Sequence, residues 1–578
     1  MTARTTVSVS PPRETKANEV RAAGEKATPF PAGGPHAVEE KTTVLEPKVY
    51  ELTLPTTASA FSKKKSGASC NDSTSRPYQA ILRVSNVGAR ILDLLVEDRN
   101  GDLVDVAVGH EDFLEKAKNH FRRTQNPRTT RTAEGATAGG ASSGSSTTST
   151  SNFDLHSDYF GATCGRVANR IFEGKYLDDS MDCHRPEVVE LTKNEERVDE
   201  RATGNDERMK NRPHYYFGHL HGGKRGFHAV VWEEVVDDHD SPETQEQNGP
   251  SSCRTKITFK RLSEDGEEGY PGAVLCFVTY ELAAVTHGKA DAEACLSEIE
   301  KDKKSQQEEE TTSSVVSVSI SYHAELVNDG RRVSTSAGSV NYKRRKNNKE
   351  INLKTPINLT NHIFFNLSKS HDESVLGHEL QLSADTYLPV NPVSLVPTGE
   401  RKPVAGTDFD FRKLRKIEKP GLYDHCFCLN MRNVAAVAGS TLAHADGQAP
   451  VPLSGPVAAT TSRISVTPKI DTHTAQDEQA PRGAADPPPS AVLKNGKSGI
   501  ELQVFTDQEG LQVYTGNFLQ DFRGKKNQIS QPGCAVCLEC QRFPNSVNLF
   551  RENFECEDPF LKVGEKYEKR IEFRFSTF

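Results

Sequence analysis

No run of apolar residues in this chain is long enough to cross a bilayer, so a membrane-spanning helix is not expected. Apolar residues are scarce overall, at 35% of 578. A packed core diluted to that average implies polar segments that cannot bury enough surface to offset their ordering entropy. Excess basic charge is also missing: the formal net charge is -8, which argues against nucleic acid or an anionic membrane as the main partner. Met1 to Pro31 lacks a hydrophobic h-region, so no secretory signal is expected. The stretch is rich in Thr, Ser, Ala and Arg, as a transit peptide would be. Glu14, Glu19 and Glu25 favour a plain disordered tail over residues 1–45 instead. The 12 cysteines form no dense disulfide framework, which fits a reducing, cytoplasmic setting. Cys534, Cys537 and Cys540 have a metal-like spacing. On a strand, however, Cys534 and Cys540 face one way and Cys537 the other, so no metal site is expected there. Sequons at Asn71, Asn358 and Asn366 are expected to be chance matches, since glycans on the last two would crowd His362. No internal repeat of convincing period occurs.

What is present is period-two alternation. Val316, Val318, Ile320, Tyr322, Ala324 and Leu326 alternate with more polar residues, as do Ile500, Leu502 and Val504. Tyr78 to Ser85 is β-rich and ends in the turn-like Asn86-Val87-Gly88. Such runs, punctuated by Gly, Asn and Asp, predict an all-β chain: a large antiparallel sandwich. Between them lie stretches of other composition, at about residues 122–152, 194–213, 237–252, 290–314, 341–350 and 434–497. Each predicts a surface loop or disordered insertion into one domain spanning residues 46–578. Removing residues 434–497 is accordingly expected to leave a folded, active protein.

Two segments bear polar residues where a core strand would not. In Thr355 to Ser368, read as a strand, Ile357, Leu359, Ile363 and Phe365 share one face with Asn361. Asn358, Thr360, His362 and Phe364 share the other. In Val536 to Gln541, Val536, Leu538 and Cys540 form an apolar face opposite Cys537, Glu539 and Gln541. A carboxylate in so apolar a strand is costly unless paired or used. Glu539 fits a salt bridge at a sheet edge as well as a catalytic role, and His362 fits a hydrogen-bonded core histidine. Leu220-His221-Gly222-Gly223 predicts a tight loop whose missing side chains let a ligand approach. Gly161 to Ile171 carries Arg166, Asn169 and Arg170 but matches no phosphate-binding glycine pattern. Taken alone it predicts a turn with solvated arginines.

Taken together and in order, these segments resemble the aldose 1-epimerase family. Asn86 to Ile91 is similar to that family's first strand turn, and YFGATCGRVANRI (Tyr159 to Ile171) is close to its signature. LHGG is followed by Gly226-Phe227 and Trp232. Then come Glu268-Gly269-Tyr270-Pro271-Gly272, LTNHIFFNL and Pro397-Thr398-Gly399-Glu400. Tyr423-Asp424-His425, Gln512 to Phe518 and CLECQRFPNSVN complete the series, which spans roughly residues 48–577 outside the insertions.

The resemblance implies a β-supersandwich and an isomerase acting on free hexoses such as galactose or glucose, as a monomer or weak dimer. It implies no cofactor and no metal. It also assigns roles. Glu539 would be the base that takes the proton of the C1 hydroxyl, and His362, as imidazolium, the acid for the ring oxygen. Acidic neighbours are expected to keep His362 protonated. A hemiacetal opens when both transfers act together, and holding both groups on one substrate makes each effectively intramolecular. His221 would bind near the ring oxygen, while Asn169, Arg170, Asp424 and Gln512 would bind sugar hydroxyls. Phe364 would line the sugar site. The chain departs from the family at Ile363 and Phe364, where Ser-Tyr is usual, at Leu422 for Gly, and at Cys426 and Cys540 for Asn and Thr.

Three other functions stay open. A non-catalytic sugar sensor on the same fold would not need both His362 and Glu539. A hexose-6-phosphate epimerase would be expected to show a basic cluster for phosphate. A glycoside hydrolase needs two carboxylates flanking the bond, and only Glu539 can be nominated.

Overall fold

The run Val316 to Leu326 becomes the strand Val315–Leu326, which sits fourth of nine in an antiparallel sheet. The computed structural model describes residues 45–55, 78–125, 153–179, 186–199, 214–236, 255–285, 315–327, 353–419, 423–430, 487–519, 521–550 and 554–578. Leu45 to Phe578 forms one compact unit. The nine strands run, in spatial order, Glu233–Val235, Lys256–Ser263, Val274–Val285, Val315–Leu326, Lys566–Thr577, Ile500–Thr506, Ala491–Asn495, Glu379–Leu382 and Arg415–Lys416. A second sheet has seven: Lys402–Pro403, Ala384–Leu388, Asp424–Leu429, Gly510–Tyr514, Val536–Gln541, Phe364–Phe365 and Ala107–Val108.

The sheets share one core because strand side chains alternate faces. Val318, Ile320, Leu502 and Phe573 come from the first sheet, and Phe427, Leu511, Val513, Val536 and Leu538 from the second. A four-stranded sheet, Val49–Pro55, Tyr78–Ser85, Arg90–Glu97 and Leu103–Asp105, adds Leu52, Leu82, Val84 and Leu94 to the same cluster. Each such side chain contributes about 1.5–3 kcal/mol relative to exposure. The fold is therefore the large all-β sandwich expected. No helix among the described residues is long and apolar enough to cross a membrane.

Alternation also decides what the second sheet shows on its other side. With Leu511, Val513, Val536 and Leu538 inward, Gln512, Tyr514, Cys537, Glu539 and Gln541 face outward. The register puts Cys426, Gln512 and Glu539 in one row across three strands, and Asp424, Tyr514, Cys537 and Phe364 in the next.

Several expectations need correction. Thr355 to Ser368 is not one strand. It breaks into Lys354–Pro356, Thr360–Asn361 and Phe364–Phe365, which pair with four different strands between them. Between the last two, the His362 backbone bonds Ala162 and Gly161 instead of a sheet neighbour. The assigned core face survives, since Ile357, Leu359, Ile363 and Phe365 all lie in the main cluster. Cys534 precedes the strand and packs with Cys537, away from Cys540.

Two of the supposed insertions contain strands. Glu195–Asp199 pairs antiparallel with His214–Leu220, because backbone pairing tolerates a charged sequence that supplies no core. Ala491–Asn495 lies inside 434–497, yet Ala491 and Leu493 are core residues and the strand sits within the large sheet. Five alternating residues are too few to show against the surrounding Ala, Pro and Thr. The helix Phe113–Gln125 reaches into the start of 122–152. Residues 126–152, 237–252, 290–314 and 341–350, with Asn71 and Leu422, lie outside the described residues. Asn358 and Asn366 are buried, and Asn366 donates to two backbone carbonyls, so neither is open to a glycan in the folded chain.

Candidate active site

His362 and Glu539 meet over the outer face of the seven-stranded sheet. Nε2 of His362 lies 3.6 Å from Oε1 of Glu539, with both side chains buried. Glu539 stands on the strand Val536–Gln541, and His362 is set by backbone bonds on both sides: its N–H to Ala162 O at 2.8 Å and its carbonyl from Gly161 N at 2.9 Å. Its ring is stacked on Phe364 at 4.9 Å and lies parallel to Tyr159 at 5.9 Å. His221 meets it edge-on at 5.2 Å.

Gln512 is opposite Glu539 in register, and its Nε2 donates to Asp424 Oδ1 at 2.7 Å. Asn169 and His221 are joined through their backbones, and the Asn169 N–H also donates to Nδ1 of His221 at 3.1 Å. Arg170 pairs with Leu220, so its strand runs beside His221. Its Nε and Nη2 grip both oxygens of Glu195 at 3.0–3.2 Å. All eight residues named from the sequence thus come from strands or loops around one place. Phe364 stands apart in kind, since its ring packs on His362, Phe160 and Tyr514.

Electrostatics here are governed by burial. It pushes the Glu539 carboxyl well above the usual carboxylate range. Asp424 adds to the rise and Arg170 opposes it. Burial also pulls His362 down to about 4, which corrects the expectation that acidic neighbours keep it protonated. It holds His221 well below the ordinary value too, helped by the charges of His362 and Arg170. Oε2 of Glu539, Oε1 of Gln512 and Nδ1 of His362 are buried with no hydrogen-bond partner among the described residues. Each such group costs about 1–3 kcal/mol unless something meets it, so the site suits a small ligand rich in hydroxyls.

Ligand atoms of His221, His362 and Glu539 lie within 4.8 Å of one another, close enough to consider a metal. The His221 bonding speaks against one. Its Nδ1 accepts the Asn169 N–H, which places the ring proton on Nε2. A metal-bound histidine does the reverse, donating from the nitrogen away from the ion. The set fits proton chemistry better than ligation.

The glycines of Leu220 to Gly223 do not clear a path for ligand. A Cβ on Gly222, at φ +85°, would lie 1.7 Å from the Gly165 carbonyl oxygen, and one on Gly223 would meet the Glu268 carboxylate. They allow close backbone packing that sets His221 in place. Nor is Arg166 solvated: it is fully buried and donates to Ser263, Thr355 and the carbonyls of Pro271, Gly272 and Glu264.

Two residues at the site were not singled out from the sequence. Tyr159 contacts both His221, at 4.7 Å, and His362. It heads the motif YFGATCGRVANRI, and that position was its only signal. Glu195 sits in a charged stretch, where one more carboxylate carries no signal at all.

Residues 335–446 and 438–574 match the profile of a family described as Aldose 1-epimerase. The chain is 28% identical to a galactose mutarotase of Homo sapiens over 426 residues, covering 72% of this chain and 79% of the relative. It is 24% identical to an aldose 1-epimerase of Escherichia coli K12 over 418 residues, covering 72% and 80%. Among solved structures, a GalM/aldose epimerase homologue from C. elegans aligns with TM-score 0.49 and 18% identity, over 86% of this chain and 96% of that one.

Proposed function

The chain belongs to the aldose 1-epimerase family, and from that premise we propose that it interconverts the α and β anomers of free hexoses, galactose and glucose, by acid–base ring opening. The observation that carries this reading is the 3.6 Å approach of His362 Nε2 to Glu539 Oε1 among unpartnered buried oxygens. In a cyclic hexose the hydroxyl that loses a proton and the ring oxygen that gains one are bonded to the same carbon. Base and acid must therefore be neighbours, and these two are.

Glu539 takes the proton from the C1 hydroxyl as the bond between C1 and the ring oxygen breaks. The ring oxygen takes a proton from His362 Nε2, and an open aldehyde results. Rotation about C1–C2 presents the other carbonyl face, and the ring closes with the proton roles reversed. Burial favours a neutral Glu539 acid and a neutral His362, which hold one proton between them. The ion pair holds that same single proton. A C1 hydroxyl donating to Glu539 and a ring oxygen accepting from His362 shift it to the reactive form. Nε2–H of His221 donates towards the ring oxygen, and Asn169, Arg170, Asp424 and Gln512 hold the remaining hydroxyls. A reducing, cytoplasmic setting with a free sugar as partner accords with this reading.

Polarimetry on freshly dissolved α-D-galactose and α-D-glucose tests it, with the uncatalysed rate subtracted and Glu539→Gln and glucose 6-phosphate run alongside. Faster approach to the same final rotation, lost in the variant, is expected. A folded chain that accelerates neither free sugar would overturn the reading, and one that accelerates only glucose 6-phosphate would redirect it.

A further inference from the structure

Arg166 and Arg170 lie four residues apart, and both are buried, but they are neutralised in different ways. Arg166 spends its donors on carbonyl and hydroxyl oxygens and has no carboxylate partner among the described residues. Arg170 is gripped by Glu195, with 8% and 9% of the two side chains exposed. Arg197 approaches the same carboxylate from the other side, with Nη2 2.7 Å and Nε 2.8 Å from Oε1. Its guanidinium in turn lies 5.7 Å from the centre of the Phe518 ring. One carboxylate therefore stands between two guanidiniums, and the trio carries one net positive charge. If packing alone were needed, neutral acceptors would serve, as they do at Arg166.

The Arg170 charge acts on the sugar site. It interacts with Asp424, and it is the cation that opposes the upward pull on Glu539. Its sequence neighbour Asn169 holds His221 through a backbone N–H, and Arg170 itself pairs with Leu220 beside that residue. We propose that Glu195, held between Arg170 and Arg197, is a positioning residue for the reaction: it fixes the Arg170 guanidinium beside the sugar site and sets how much positive charge reaches Glu539. This rests on the mutarotase reading above.

The proposal fixes the signs of two opposite effects. Glu195→Gln removes a negative charge, so the Glu539–His362 pair binds protons less tightly. Both limbs of the pH profile of kcat/KM then move to lower pH. Arg197→Gln removes a positive charge, so both limbs move to higher pH. At an effective dielectric of about 20, a unit charge within about 20 Å of a titrating group shifts it by about half a pH unit or more, and that is the size of shift to look for. Glu195→Asp keeps the charge but shortens the reach. It lowers the rate and leaves the limbs where they were.

Simple loosening of the fold would lower the rate in every variant and move no limb. Arg197 is partly exposed, so its variant keeps the test alive if Glu195→Gln does not fold. A second readout needs no turnover: the infrared carbonyl band of the protonated Glu539 carboxyl, assigned by subtracting Glu539→Gln, titrated against pH. It is expected to titrate lower in Glu195→Gln and higher in Arg197→Gln. Shifts of the same sign in both variants, or none in either, would overturn the proposal. A wild-type chain without mutarotase activity would overturn the function instead, and the infrared titration would still decide the role of Glu195.

Discussion

Nδ1 of His221 accepts the backbone N–H of Asn169 at 3.1 Å, and that bond decides which ring nitrogen carries the proton. Nε2–H becomes a fixed donor aimed into the site, on a ring that burial keeps neutral. Removing such a donor costs about a hundredfold in kcat where it meets developing charge. His221→Ala is expected to lose that much. Prolonged dialysis against EDTA is expected to change nothing, because the protonated nitrogen cannot ligate. Polarimetry before and after dialysis, with zinc added back, checks both statements.

In the proposed mechanism Glu539 and His362 act on one substrate as a unit, so their effects should not add. Glu539→Gln and His362→Asn are each expected to lower the catalysed rate by about a hundredfold or more with the fold intact. The double variant should fall little further than the worse single one. If the two losses multiplied, the residues would be acting in separate steps.

The acid limb follows from the downward pull on His362. A free imidazole takes up its proton near pH 6.5. Here the pair gains its second proton only as pH falls towards about 4. Initial-rate polarimetry should show kcat/KM holding from about pH 7 to about pH 5 and declining below. A limb centred at the ordinary histidine value would contradict the burial of His362.

Stability has its own pH dependence. His219 and His378 are pulled down to about 4 and His228 to about 3, in each case chiefly by burial. The unfolded chain protonates these rings near pH 6.5, whereas the folded chain does not until the lower values. Between those limits the unfolded state binds more protons, so stability falls as pH falls. Urea midpoints measured from pH 7 down to about pH 4 should drop steadily over that window. His378→Gln, which cannot titrate, should flatten part of the slope.

Deleting residues 434–497 is expected to abolish folding, contrary to what composition suggests. The deletion removes Ala491–Asn495 from between Glu379–Leu382 and Ile500–Thr506, leaving two inner strands without their partner. Leu493 and Ala491 also leave the core. Size-exclusion chromatography with far-ultraviolet circular dichroism would show it, and a compact, β-rich product would refute it.

Alternation along Val536 to Gln541 was enough to send Leu538 inward and Glu539 outward, because a strand's period of two is a local property. The same logic assigned Ile357, Leu359, Ile363 and Phe365 to the core. The motifs named the residues that gather around Glu539. Other features were beyond a reading along the chain. Glu195 is one acid in a charged stretch until a strand pairing carries it to Arg170. The glycines after His221 look like room for a ligand until Gly165 is packed against them. His362 reads along the chain as a ready proton holder until burial strips away the water that would stabilise its charge. Composition and periodicity act through neighbours in sequence, so the chain by itself determined the all-β class, the two faces of runs such as Val536 to Gln541, and the family resemblance. Register, desolvation and ion pairing depend on neighbours brought together by folding, and only the tertiary structure decided them.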